Sequence, residues 1–104
     1  MPYFIVYKDK ELKQVLTAIK TDEPVLAGQT YETTIYIRNI SRHELSDILF
    51  LTSDADLSFE PRVIRHMNPD EVVAVKAIWK PIITRMTPLN ATISADFRVI
   101  VRNP

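Results

Sequence analysis

Leu89-Asn90-Ala91-Thr92-Ile93-Ser94-Ala95-Asp96-Phe97-Arg98-Val99-Ile100-Val101-Arg102 decides the fold class. Leu89, Ala91, Ile93, Ala95, Phe97, Val99 and Val101 alternate with Asn90, Thr92, Ser94, Asp96, Arg98, Ile100 and Arg102. Side chains of an extended chain point to opposite faces in turn, so period two over this length predicts a strand with one packed face. Its other face, mostly polar, belongs in water, as in an antiparallel sheet that covers a core on one side only.

The same pattern recurs upstream. Glu71 to Lys80 sets Val73, Val75, Ala77 and Trp79 against Val72, Ala74, Lys76 and Ile78. Apolar on both faces, this strand is either central in its sheet or meets a loop or another chain. Trp79 shares the packed face and reads as a core anchor, with a binding hot spot as its other reading. Thr30 to Arg38 places Tyr31, Thr33, Ile35 and Ile37 on one side, rich in residues that fit a pleated surface. Gly28, the only glycine, precedes it and supplies a backbone angle that other residues avoid, while Asn39 to His43 carries turn chemistry. Ile48 to Leu51 and Leu57 to Phe59 follow, divided by Ser53-Asp54-Ala55-Asp56. Pro24, Pro61, Pro69, Pro81 and Pro88 all fall between strands, where a missing N–H costs no ladder bond. Short strands punctuated about every ten residues are the spacing of a β-sandwich.

The N-terminal stretch is open to two readings. Leu12, Val15, Leu16 and Ile19 match a helical repeat with Asp9 as its cap. Val15, Thr17 and Ile19 also alternate, and a turn at Asp9-Lys10-Glu11 with a strand over Val15 to Lys20 agrees better with the β pattern of the rest. Before it, Tyr3-Phe4-Ile5-Val6-Tyr7 is an aromatic, β-prone run. Such a run either pairs inside its own domain or is donated to the open edge of a neighbour. These five residues are the candidate partner-binding site.

Composition bounds the function classes. The 104 residues are 46% hydrophobic and 25% charged, which suits one domain, 1–104, with residues 1–20 as an arm or first strands. Thirteen Lys and Arg balance thirteen Asp and Glu, so no bulk field draws the chain to nucleic acid or an anionic membrane. No cysteine is present, which removes disulfides, thiol catalysis and thiolate metal sites. The N-terminus lacks a basic segment and a long apolar run, so cytoplasmic synthesis without a signal peptide is expected. The sequons at Asn39 and Asn90 are then chance matches.

Chemistry is sparse. His43 and His66 lack a second ligand at metal-binding spacing, and Asp54 with Asp56 lacks the glycine and glutamate of a calcium loop. A single glycine leaves no glycine-rich elbow for a nucleophile and no phosphate cradle. Asp70-Glu71 reads as a turn. No enzyme activity, metal or cofactor is expected.

Ala27-Gly28-Gln29-Thr30-Tyr31-Glu32-Thr33-Thr34-Ile35-Tyr36-Ile37-Arg38-Asn39, followed by Leu45-Ser46-Asp47-Ile48, resembles the opening of many immunoglobulin-like modules of the broad bacterial, archaeal and viral class. Met67-Asn68-Pro69-Asp70-Glu71, then Val73, Val75 and Trp79, resembles their second half, with Asp70 where those modules usually have glycine. The likeness covers 27–101 and implies an all-β, immunoglobulin-like antiparallel β-sandwich with an N-terminal extended arm or hairpin. By the same resemblance the expected role is a structural protein, such as a small tailed-phage capsid decoration, neck or tail component. Its partners would be virion subunits or copies of itself, held through edge strands and the arm. The alternative is a cellular adaptor that recognises an extended peptide by strand addition.

Overall fold

A computed structural model describes residues 3–16, 18–21, 26–82 and 90–101. Thr17, Pro24, Pro88, Leu89 and Arg102, which enter the sequence reading, lie outside the described residues. The described chain is all-β, with eight strands in two four-stranded antiparallel sheets. The strands are β1 (Phe4–Tyr7), β2 (Ala18–Lys20), β3 (Tyr31–Asn39), β4 (Glu44–Thr52), β5 (Leu57–Glu60), β6 (Val63–Met67), β7 (Val72–Trp79) and β8 (Asn90–Ile100).

One sheet has the order β1-β3-β7-β5 and the other β2-β8-β4-β6, so each strand lies in the opposite sheet from the strand before it. Alternation sends one side of each strand inward. Ile35, Ile37, Leu57, Phe59, Val75, Ala77 and Trp79 from the first sheet meet Ile19, Leu45, Ile48, Phe50, Ile64, Met67 and Ala91 from the second. Trp79 is fully buried, as the period of β7 predicts, and β7 is central between β3 and β5. Its outer face is partly bare, with Val72 exposed and Ile78 half-buried.

Four local features depart from or refine the sequence reading. No helix forms in the described part of 9–20; Tyr7 makes a lone antiparallel bridge with Val15, and Ala18–Lys20 pairs with β8. The expected strand over Val15 to Lys20 is therefore divided, because the chain leaves the first sheet near Leu16 and enters the second at Ala18. β4 begins earlier than its apolar run, at Glu44, because a bulge between Ser46 and Leu49 resets the period and keeps Leu45, Ile48 and Phe50 all inward. Asp47 takes φ 52° there. β6 was not legible, since only Ile64 and Met67 of its five residues are buried.

The left-handed region recurs in the turns, with Leu12 at φ 60° where its N–H closes a turn onto Asp9 C=O. Gly28 has φ 85° in a turn closed by Gln29 N–H to Leu26 C=O, and Asp70 has φ 65° in one closed by Glu71 N–H to Asn68 C=O. At Asp70 a residue other than glycine takes this conformation, and its exposed carboxylate lies 3.2 Å from the Arg38 guanidinium.

Asn39 is the one fully buried polar residue among those described. Its Nδ2 donates to the carbonyls of His43 (2.8 Å), Met67 (3.4 Å) and Asn68 (3.2 Å). Its Oδ1 accepts from Ser41 N–H at 2.9 Å and from Ser41 Oγ at 2.7 Å. The side chain therefore clamps the β3–β4 turn to the β6–β7 turn, and its engaged amide leaves the Asn39 sequon inaccessible in the folded state.

Asn39→Asp changes one atom but turns a carboxylate toward three carbonyl oxygens. Its expected cost is about 3 kcal/mol or more at neutral pH, against ~1 kcal/mol or less for a surface Asn→Asp change, as read by urea unfolding. At Gly28 a Cβ would meet nothing within 4 Å, so Gly28→Ala should cost only the φ penalty, about 1 kcal/mol. Asp70→Gly, which relieves strain and loses an exposed ion pair, should leave stability within about 1 kcal/mol in the same measurement.

Candidate functional site: an open seam between β1 and β8

The aromatic run pairs within its own domain. β1 lies antiparallel to β3 with Phe4 opposite Asn39, Val6 opposite Ile37 and Tyr7 opposite Tyr36, and Ile40 N–H donates to Tyr3 C=O. Within the single chain β1 takes β3 as its ladder partner, and the segment that follows it returns alongside only through the Tyr7–Val15 bridge. Phe4 and Val6 share the inward side of Asn39 and Ile37, while Tyr7 is buried and Ile5 half-buried.

The hairpin turn is held by Asp9, whose Oδ1 accepts from Lys13 N–H (3.0 Å) and Gln14 N–H (2.8 Å). Desolvation works to raise its pKa, but these N–H groups and the Lys13 charge outweigh it and hold the carboxyl below its ordinary value. Beyond the turn, Lys8 N–H donates to Gln14 C=O and Leu16 N–H to Val6 C=O. The returning chain thus covers the outer edge of β1 at Val6 and Lys8 and stops short of Phe4.

β8 faces this edge from the other sheet, and it is paired unevenly. β4 runs along it from Ile93 to Ile100 on one side, whereas β2 meets it on the other only at Asn90 to Thr92. Among the described residues, no strand pairs with the remainder of that side. The direction of its backbone follows from Thr92, whose C=O accepts from Ser53 N–H and whose N–H donates to Ser53 Oγ, both on the β4 side. Amide direction alternates along a strand, so Ser94, Asp96 and Arg98 also face β4, and Ile93, Ala95, Phe97 and Val99 present N–H and C=O to the open side.

Side-chain burial tells the same story. Ala91, beside β2, is buried, but Ile93, Ala95, Phe97 and Val99 on the same inward face are only half-buried. Tyr3 and Phe4 cover part of this strip, with ring centroids 4.9 and 5.0 Å from Phe97. Between them a cleft of about 220 Å³ reaches inward, lined by Tyr3, Phe4, Val6 and Ile37 from the first sheet and by Phe50, Ile93, Ser94 and Ala95 from the second. Three features coincide: an unpaired backbone row, an under-covered apolar strip and a pocket beside both.

Other places hold less. A cleft of about 370 Å³ opens on the opposite seam, between the end of β4, β5 and Arg62, with Phe50 as the wall common to both. His66 Nε2 lies 3.1 Å from Glu44 Oε2 across the β4–β6 pair, and His43 is exposed with its ring 6.4 Å from Tyr3. Among the described residues, no three His, Cys, Asp or Glu side chains are grouped to hold a metal, and no helix is long and apolar enough to cross a membrane.

The sequence singled out the Tyr3 to Tyr7 run but missed the edge of β8 that it overlooks. The alternation of β8 showed which face is inward. It carried no sign of which edge stays unpaired, because that depends on where β2 ends. Compared with known proteins, the chain matches no family model, no curated protein and no solved structure, so the reading of this seam rests on its own geometry.

Proposed function

We propose that this protein is a non-catalytic, immunoglobulin-like assembly module that joins protein neighbours by accepting an extended strand along β8. The observation that carries the reading is the row of outward amides at Ile93, Ala95, Phe97 and Val99 beside a half-covered apolar strip. An exposed row of this kind is a template for another backbone, which supplies the ladder bonds while its alternate side chains enter the cleft.

Strand order supports the finer fold assignment. In an immunoglobulin-like sandwich one sheet holds the first, second, fifth and fourth strands, and the other the third, sixth and seventh. Here β1, β3, β7 and β5 take the first sheet in that sequence, and β4 and β8 take the third and sixth places. The seventh strand would lie beside β8, where the edge is open. β2 holds only its first three residues, and β6 is an added strand on the far side of β4.

On the sequence resemblance alone, the proposed setting of the module is a small virion protein of the decoration, neck or tail kind. A second reading, an adaptor for extended peptides, draws on the cleft itself. A side-chain pocket floored by Ile37 and Phe50 beside a free edge is what a single bound peptide strand uses for specificity.

The test is an amide-resolved titration with a nine-residue peptide of alternating valine and threonine flanked by lysines. Shift changes and slowed exchange are expected at Ile93, Ala95, Phe97 and Val99. Ala95→Pro removes one outward donor without touching the β4 ladder and should weaken binding about tenfold while the protein stays folded by its unfolding curve. No response, or a response confined to β5 or β6, contradicts the proposal.

A further inference from the structure

We infer that the strand β8 accepts is β8 of a second copy, paired antiparallel about a two-fold axis through Phe97. The inference rests on the strand-addition reading and names its partner from charge and register.

A symmetric antiparallel pair of identical strands matches residue i of one copy with residue j of the other such that the sum of i and j is constant. Centred on Phe97, the pairing sets Phe97 against Phe97, Ala95 against Val99 and Ile93 against Val101 of the other copy. All the odd-numbered residues from Ile93 to Val99 carry outward amides, so this pairing joins donors and acceptors directly. It also places Asp96 opposite Arg98 of the other copy, twice, on the exposed face of the sheet.

Neighbouring registers fail on charge. Centred on Asp96, the pairing opposes two aspartates; centred on Arg98, it opposes two arginines. Like charges directly opposite destabilise a strand pair, and opposite charges stabilise it, so the Asp96-Phe97-Arg98 triplet favours the Phe97 register over both of its neighbours. Both side chains are available. Asp96 is exposed, and Arg98 is 82% exposed with only a 3.9 Å contact to Asp47. The balanced net charge of the chain sets up no general repulsion between copies.

The extent of the pairing matches the space. It runs from Ile93 to Val101 on each copy, and residue 101 of the partner lies opposite Ile93, one residue short of Thr92, where β2 begins. The inward faces then close over each other. Phe97, half-buried in one copy, gains the ring of its symmetry mate beside Tyr3 and Phe4, and Ala95 gains Val99. The product joins β6-β4-β8 of both copies into one continuous sheet across two domains, with each β2 at the end of the shared seam.

Light scattering over a concentration series reads the result on the full chain. A dimer is expected, with Asp96→Arg and Arg98→Asp each raising its dissociation constant about tenfold or more, since each change turns two attractive pairs into two repulsive ones. The double change D96R/R98D restores opposite charges at both positions and should return the dissociation constant to near its starting value. Both residues are solvent-facing, so the variants test pairing rather than folding. Single variants that dimerise as the parent does, or a double variant that fails to recover, would overturn the inference. If the parent stays monomeric to about 1 mM while the valine-threonine peptide still protects the β8 edge, self-pairing is wrong and strand addition stands. If the peptide also fails, both readings fall together.

Discussion

The buried carboxamide of Asn39 is the point on which the architecture turns. A sandwich whose chain changes sheet after every strand has its loops gathered at two ends, and each end must hold backbone carbonyls away from water. At one end the two N–H groups of a single side chain are shared among three of them, from His43, Met67 and Asn68, and its oxygen takes two donors from Ser41. Its own backbone takes part as well, with Asn39 N–H donating to Glu71 C=O and Asp70 N–H donating to Asn39 C=O. A buried polar group of this kind stabilises only when every partner is present, and here the partners come from four strands' ends. Because Phe4 lies opposite Asn39 in the ladder and Ile40 N–H holds Tyr3, the same clamp also fixes where the aromatic run meets β8.

From that anchor the open seam follows by geometry. The chain leaves β1 through the Asp9 turn, covers the edge at Val6 and Lys8, and crosses to the second sheet, where it has three residues of β2 to spend beside β8. An eleven-residue strand is thus flanked by a three-residue neighbour, and among the described residues nothing else pairs along that side. The fold manages this exposure in part. Tyr3 and Phe4 lean over Phe97, and the outer face of β8 is kept polar by Thr92, Ser94, Asp96 and Arg98. The exposed backbone row is the kind of feature that folded domains either cover or use.

Much of the fold was legible because local patterns carried it. The alternation of Tyr31 to Ile37, of Val73 to Trp79 and of Ala91 to Val99 named inward faces that the structure keeps inward, and Gly28 marked a left-handed turn. What was hidden was non-local. The bulge at Asp47 broke the period of β4, Arg65 and His66 masked a strand with two buried side chains, and Asn39 read as a turn former because two of its partners, Met67 and Asn68, lie 28 and 29 residues away. The site was half legible for the same reason: the aromatic run is written in five consecutive residues, while the free edge of β8 exists only through the ending of another strand.

The central claim is that one side of β8 is a vacant strand position. Amide hydrogen exchange along β8, followed from dilute to concentrated protein, tests it most directly. In dilute solution Ser94, Asp96 and Arg98 should exchange slowly and Ile93, Ala95, Phe97 and Val99 fast, with the fast set becoming protected as concentration rises or as a donor peptide is added. Uniform protection along β8 at every concentration would mean that the position is already filled, and the account would be wrong.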